Sequence, residues 1–397
     1  MHGWFDRAEF ASSPIPRGNV RIAARNEIAG LLRWRSAFAG ERKDHRYYEL
    51  VEDTLKDGFD YGYLVVDDGK DVCAIQPFFV LDQDLAAGAG DHAKKFIAGV
   101  RRHWPRFMRA RTLMVGCAAG EGHLDGDESS QCTTAELLAR WLPRLAGDLH
   151  CAMIVLKEFP AKYRAPLQGL RRAGFTRAPS MPMTTLAIDF EDFEDYLSNK
   201  LSHGTRAKVR QRLRAAERAQ PAIAMSLVDD VAAIIDDVYP LYLKVFERSP
   251  LQFEKLTKEF LCEIVRRIPD KVRFFVWRQD ARIIAFGLCM TQGDAICHEY
   301  VGFDYSVAFK LNLYHRVFHD IIEWAIANGY KRFYSGSLNY DPKWHLRQSL
   351  YPLDLYVRHA SAPINALLKW LLPLLEPTHS DPILPNFHNY RELWSTP

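Results

Sequence analysis

Short runs of apolar and aromatic residues alternate along this chain with longer stretches whose apolar positions recur at helical spacing. Tyr61 to Val66 and Asp71 to Leu81 are two such runs, and Asp67-Asp68-Gly69-Lys70 between them has a turn composition, so the pair predicts a β-hairpin. Pro77 lies inside the second run and cannot donate to a sheet ladder, which predicts an edge strand or a strand that ends there. A helix over 91–108, a strand over 113–117, a helix over 133–149 and a strand over 153–156 follow. Ala165 to Ala173 predicts a helix stopped by Gly174, with Arg171 and Arg172 in its last turn, where cations suit the helix dipole. Met183 to Ile188 adds a strand.

The second half repeats this order. Lys271 to Trp277 and Arg282 to Met290 flank the turn 278–281, Ala295 to Val301 predicts a third strand, and Leu313 to Ala327 predicts a helix. In that helix Leu313, Val317, Ile321 and Ala325, joined by Phe318 and Ile322, form one apolar face. Asn328-Gly329 ends it, and Arg332 to Tyr334 starts another strand. Each half thus reads as hairpin, strand, helix, strand, which predicts an α/β fold of two tandem domains, each a mixed central sheet flanked by helices. The expected division is 1–190 for a non-catalytic N-terminal domain, 191–220 for a basic connecting helix and 221–397 for a catalytic domain.

A length of 397 residues suits two cores better than one, and 48% hydrophobic with 25% charged residues is the composition of an ordinary globular protein. The start, Met1 to Arg7, lacks the basic and apolar signature of a signal peptide. Seven scattered cysteines contain no C-x-x-C pair, so neither a disulfide framework nor a metal site is expected. Together these predict a cytoplasmic location. The net charge of +3 excludes an argument for nucleic acid from charge alone. Ile364 to Leu375 is too short to span a bilayer; it predicts a core-packing helix or, as the alternative, a segment in peripheral contact with an anionic inner membrane.

Three segments carry a family resemblance: Leu201 to Arg210 (LSHGTRAKVR), Ile322 to Phe333 (IEWAIANGYKRF) and Ser335 to Lys343 (SGSLNYDPK). In this order they resemble the GNAT superfamily of N-acyltransferases, and within it the tandem FemAB-like branch. The resemblance implies two GNAT-like domains and acyl transfer from acyl-CoA, a co-substrate rather than a resident cofactor, to the amine of a small molecule or a long-chain amino lipid of ceramide type. An aminoacyl-tRNA-dependent transferase acting on a peptidoglycan precursor is the related alternative, and a non-catalytic ligand-binding module the alternative of another class. The family's pyrophosphate loop corresponds here to Gly302 to Lys310 (GFDYSVAFK), whose Ser306, Ala308, Phe309 and Lys310 are the implied cofactor contacts, with bulky residues where the family has small ones.

Amine acylation needs a proton acceptor, groups that hold the developing oxyanion and a proton donor for the leaving group. His298 and Glu299 are adjacent on a predicted strand and point to opposite faces, so one of them faces the site; His298 is preferred because its ordinary pKa lies near neutral pH. Tyr340 is a candidate proton donor and Lys343 a candidate for holding negative charge. The run Lys200 to Arg218, with Glu217 its only acid, predicts a solvated helix face or an anion grip in which Arg206 and Arg210 are the expected contacts. Finally, Met114 to Leu124 (MVGCAAGEGHL) is similar to the glycine loop of S-adenosylmethionine methyltransferases, but the polar run Asp125 to Gln131 is expected to separate it from the next helix, and Gly116 to Leu124 is read as a wall or lid of the cleft between the domains.

Overall fold

A computed structural model describes residues 14–15, 18–67, 71–84, 95, 98–103 and 109–395. The helix expected over 91–108 lies largely outside them. Along the chain, β1 (Pro14–Ile15) and β2 (Gly18–Ala23) precede the short helices α1 (Arg25–Ile28) and α2 (Leu32–Arg35) and the longer α3 (His45–Thr54). The predicted hairpin is β3 (Asp60–Asp67) and β4 (Val72–Asp84), followed by β5 (Arg109–Val115), α4 (Glu128–Asp148), β6 (Met153–Pro160), α5 (Gln168–Arg172), β7 (Thr176–Pro179) and β8 (Met183–Ala187). Two helices, α6 (Phe193–Lys200) and α7 (His203–Glu217), lead through β9 (Ile223–Leu227), α8 (Ile235–Arg248) and α9 (Lys258–Arg267) to the second hairpin, β10 (Val272–Gln279) and β11 (Arg282–Gln292). Then come β12 (Ala295–Phe303), α10 (Leu313–Ala327), β13 (Arg332–Ser335), α11 (Tyr340–His345), β14 (Ser349–Tyr351), β15 (Leu353–His359) and α12 (Ala362–Leu375).

Two mixed sheets result, ordered β1-β2-β3-β4-β5-β6-β15-β7 and β14-β8-β13-β12-β11-β10-β9. Each joins an antiparallel run to a parallel pair, β5 with β6 in the first sheet and β12 with β13 in the second. Sheet membership crosses the division drawn at 190 and 220. Strand β8 pairs with β13 and β14, while β15 inserts between β6 and β7, so each half lends a strand to the other's sheet. On β15 the fully buried Asp354 takes Arg164 at 2.6 Å and Arg177 at 3.4 Å, an ion pair that would be costly to leave unmade. One hydrophobic core also joins the halves, with Trp34, Tyr47 and Phe79 in the same cluster as Phe260, Phe274 and Phe286.

Three details differ from the sequence reading. Pro77 sits within the central strand β4, paired with Tyr63 on β3; its nitrogen faces the side on which β5 ends at Val115, where its carbonyl accepts only the Gly116 N–H, so no ladder bond is lost. Helix α4 begins at Glu128, inside the polar run, because the Asp127 side chain accepts the Ser130 N–H as an N-cap. Helix α12 is not core: among its described side chains only Asn365, Leu368 and Leu372 face the body of the protein, while Leu367 is 56% and Trp370 78% exposed.

Candidate functional site

The break in the second sheet lies on β12. Against β11, Val301 pairs with Gly287 and Tyr300 with Leu288, but Cys289 then pairs with His298, leaving Glu299 as the extra residue of a β-bulge. A bulge interrupts the in-and-out alternation. Glu299 and Tyr300 consequently both face the first half of the molecule, whereas His298 faces the opposite side, as adjacent strand positions require. On the other edge, β12 pairs in parallel with β13 from Ala295↔Arg332 to His298↔Ser335 and then runs on to Phe303 alone. The Gly336 N–H reaching the His298 carbonyl at 3.3 Å is the last tie before the strands part.

Lys343 stands at this gap. It lies on α11, only 5% exposed, and its Nζ donates to the Gly336 carbonyl. Burial pushes its ammonium down to about 7, and among the described residues no carboxylate offsets that push. Burial, reinforced by the Lys343 charge, also pushes the His298 imidazole down to about 4. The buried Nε2 of His298 has no hydrogen-bond partner, and a Cβ at Gly287 would lie 3.0 Å from it and 3.6 Å from Ile321 of α10, so the absent side chain at 287 is what makes room for the ring. Tyr340 is held differently: its buried hydroxyl donates to the Pro182 carbonyl at 2.7 Å, and burial raises its pKa far above the usual phenol range.

On the opposite face the bulge meets a balanced set of buried charges. Glu299 takes Arg42 and, at 3.3 Å, Lys43; both cations also reach Glu121 at 2.6 Å, and His123 Nε2 lies 3.0 Å from Glu121. Burial works against charge on Glu299, but Arg42 and Lys43 outweigh it and hold the carboxyl below its ordinary value. The neighbouring Tyr300 hydroxyl donates to Glu254 at 3.1 Å, a carboxyl that burial raises, Lys157 lowers and Glu158 raises again. Lys157 in turn donates to the Gly120 carbonyl at 2.8 Å and to Glu158 at 2.6 Å. The glycines of the 116–124 loop are explained by this packing. Gly120, at φ +94°, leaves the space that the Lys43 ammonium fills, and a Cβ at Gly122 would lie 2.7 Å from the Lys157 carbonyl.

The residues expected to grip a cofactor are spread out. In the loop 304–312, the Ser306 amide and hydroxyl both donate to the Asp304 carboxylate, at 3.1 and 2.8 Å, and Asp304 is paired further with Arg282 and, at 3.5 Å, Lys244. The Ala308 amide is used by the Asp304 carbonyl, Phe309 is 75% exposed and Lys310 is exposed. Arg206 donates to the Ser198 carbonyl at 3.2 Å and Arg210 pairs with Glu194, so both tie α7 to α6. It is Arg212 that faces the N-terminus of α10, donating at 2.7 Å to His315, which burial and that arginine push down to about 4. Arg248 lies 3.9 Å above the Tyr305 ring of the same loop. An open groove of about 620 Å³ between α6, α7 and α10 is lined by Phe193, Leu197, Arg210 and His319 and includes none of the residues at the gap.

Residues 203–343, which contain the bulge, the strand gap and Lys343, match the acetyltransferase (GNAT) domain family. This part of the chain is a GNAT acyltransferase domain. Among solved structures, FemX is 11% identical, with 82% of this chain and 94% of FemX covered at a TM-score of 0.50, a likeness of fold across both halves. L-PGS from Bacillus licheniformis is 13% identical over 67% of this chain and 86% of its own, TM-score 0.46. A tandem GNAT protein from the clavulanic acid biosynthesis pathway is 10% identical over 86% and 99%, TM-score 0.47. No curated protein matches the sequence.

Within the GNAT domain, sequence reasoning singled out Lys343 and the pair at 298–299 but missed Glu254, and in the first half it missed Arg42, Lys43, Glu121 and Lys157. Arg42, Lys43, Glu121 and Glu254 lie in irregular segments where no period marks a face, and Lys157 and Glu158 lie on β6 just past the strand expected over 153–156. The adjacent Arg42-Lys43, cations that prove to be buried, carried no visible signal of burial.

Proposed function

We propose that the GNAT domain moves an acyl group from acyl-CoA to the amine of a small molecule or long-chain amino lipid, with Lys343 accepting the proton of the attacking amine. The observation that carries this reading is a buried lysine, held near 7 and without a carboxylate partner, at the point where β12 and β13 part. A neutral amine at that value is a competent base at working pH. In the reaction the acceptor nitrogen bonds to the acyl carbon, the carbon–sulfur bond breaks, and the proton taken by Lys343 passes to the departing thiolate. His298, near 4, is the weaker base. Tyr300 and Glu254, at the bulge on the face toward the first half, suit the positioning of an ammonium-bearing acceptor. Arg212, Arg248, Arg282 and Lys244 around the 304–312 loop supply charge for the phosphates of the donor.

One observation favours a second reading. The Asp304 carboxylate already occupies the Ser306 amide and hydroxyl, so a pyrophosphate would have to displace a resident anion. An aminoacyl-tRNA donor gripped by Arg212 and Arg248, which meet His315 and Tyr305 rather than Asp304, avoids that competition. Incubating pure protein with acyl-CoAs of increasing chain length and a panel of amines, and following free thiol, separates the two. Thiol release dependent on an amine supports acyl-CoA; transfer only with charged tRNA moves the assignment; neither sinks both and leaves a binding module.

A further inference from the structure

We propose that α12 is a membrane-docking helix that seats this protein on an anionic lipid surface. The inference is independent of which acyl donor is used. Among the described side chains of α12, those of residues 362–373, only Asn365, Leu368 and Leu372 are half-buried, a single stripe at helical spacing. The other described side chains of the helix are exposed, apolar ones included: Ile364 is 46%, Leu367 56%, Trp370 78% and Leu371 36% exposed. A helix this apolar, packed along one narrow stripe, leaves a contiguous hydrophobic surface uncovered, and such surfaces mark contacts with partners or lipid. It is not a spanning segment, since among the described residues no helix is long and apolar enough to cross a membrane.

Charge decides between lipid and protein. The sole ionisable residue between Ser361 and Leu375 is the exposed Lys369, beside Trp370, and a tryptophan next to a lysine on an apolar helix is the pattern of an interfacial helix. The surroundings are cationic as well. Asn365 donates to the Gly174 carbonyl at 2.9 Å, which brings the N-terminal turn of α12 beside the C-terminus of α5, where Arg171 and Arg172 are exposed, and beside Arg358 of β15. The acids nearby are not available to repel a negative surface: Asp354 of β15 is buried and paired with Arg164 and Arg177, and Glu376 is buried and hydrogen-bonded to Thr378 and Trp394. Helix α7, whose basic run was expected to share this role, packs on α6 and α10 instead, so the charge that borders α12 comes from Arg171, Arg172 and Arg358. Flanking cations of this kind add attraction to anionic headgroups that salt weakens.

The test is flotation of the purified full chain with vesicles of phosphatidylcholine plus phosphatidylglycerol, and with phosphatidylcholine alone. Wild type is expected to float with the anionic vesicles at low salt and to be released in part at high salt. The double substitution Leu367→Ser/Trp370→Ser should lower the bound fraction by about tenfold or more, since two large apolar side chains leave the interface. Both positions are exposed, so thermal unfolding of the variant should match wild type, which separates lost docking from lost folding. Lys369→Glu should weaken binding at low salt only. Wild type remaining in the soluble fraction with anionic vesicles at low salt overturns the proposal, as does equal flotation of the double variant. A concentration-dependent dimer abolished by the double variant, without flotation, assigns the face to a second copy and overturns it too.

Discussion

Two lysines of this chain are both buried, yet they are opposite in character. Lys43, fully buried, is surrounded by Glu121 and Glu299, and although burial lowers its pKa those carboxylates more than restore it, raising it above the ordinary lysine value. Lys343 is nearly as buried but meets a backbone carbonyl, and burial, opposed by Cys297 but by no carboxylate, carries it down to about 7. Burial alone therefore does not make a lysine reactive; what matters is whether the fold supplies a counter-charge. The junction between the halves neutralises its cations and so acts as a clamp. The strand gap leaves its cation alone and so keeps a proton in play.

Removing the lysine at the gap should have the largest effect. Lys343→Met is expected to lower kcat about 10² to 10⁴-fold, the usual reach of a positioned acid–base group. Lys343→Arg should not rescue it, because guanidinium cannot give up its proton. A methionine variant that keeps near-wild-type turnover would transfer the base to His298 or Glu299.

Breaking the clamp should appear as stability rather than chemistry. Arg42→Met leaves Glu299 and Glu121 short of a shared cation in a buried site, and a loss of about 3–5 kcal/mol is expected in denaturant unfolding. If stability instead changes by less than about 1 kcal/mol, the junction is wet and its charges are free for a ligand.

The sequence made the repeated hairpins and α10 legible, because each has a complete period: Leu313 to Ala327 is predicted and observed with the same ends. The exchange of β8 and β15 was not legible, since a strand's own pattern records which face is buried and not which neighbour it pairs with. The bulge at Glu299 carries no residue signature either. Lys343 was visible as a residue type, but its depressed pKa depends on what α11 packs against. In the basic run, Arg206, Arg210 and Arg212 look equivalent in sequence, and only the position of α7 between α6 and α10 turns Arg212 toward the helix N-terminus and the other two away. The glycines of 116–124 resembled a cofactor loop because close approach of any group, here Lys43, selects the same residue.

The contrast can be sharpened with pH. The folded protein releases the Lys343 proton near 7, whereas the unfolded chain holds it to about 10.4. Between those values the unfolded state binds more protons, so this group makes stability rise with pH across that window and subtracts from it below. Lys343→Met should abolish that slope and stabilise the protein below pH 7 by roughly 1–3 kcal/mol. His298 acts in the same direction lower down: folded near 4 and unfolded near 6.5, it erodes stability as pH falls through that interval. Turnover should rise through about 7 in the wild type alone. Melting temperatures of both proteins from pH 5 to 10, set beside a pH–rate profile, measure all of this, and parallel melting curves would mean that Lys343 titrates normally.

The smallest effect is expected one helical turn before Lys343, at Tyr340. Its hydroxyl donates to the Pro182 carbonyl at 2.7 Å, and its ring lies 5.6 Å from the Lys343 ammonium. Tyr340→Phe keeps the ring and removes the proton. If the hydroxyl is a structural tie, the variant loses about 0.5–1.5 kcal/mol, the value of one hydrogen bond, and turns over at nearly the wild-type rate. If it supplies the leaving group's proton, kcat falls by about 10²-fold while stability changes little more. The first outcome is expected, because a phenol raised by burial and already committed to a backbone carbonyl has no proton to spare, whereas Lys343, a turn away and without a counter-ion, can carry the proton both to and from the reacting atoms.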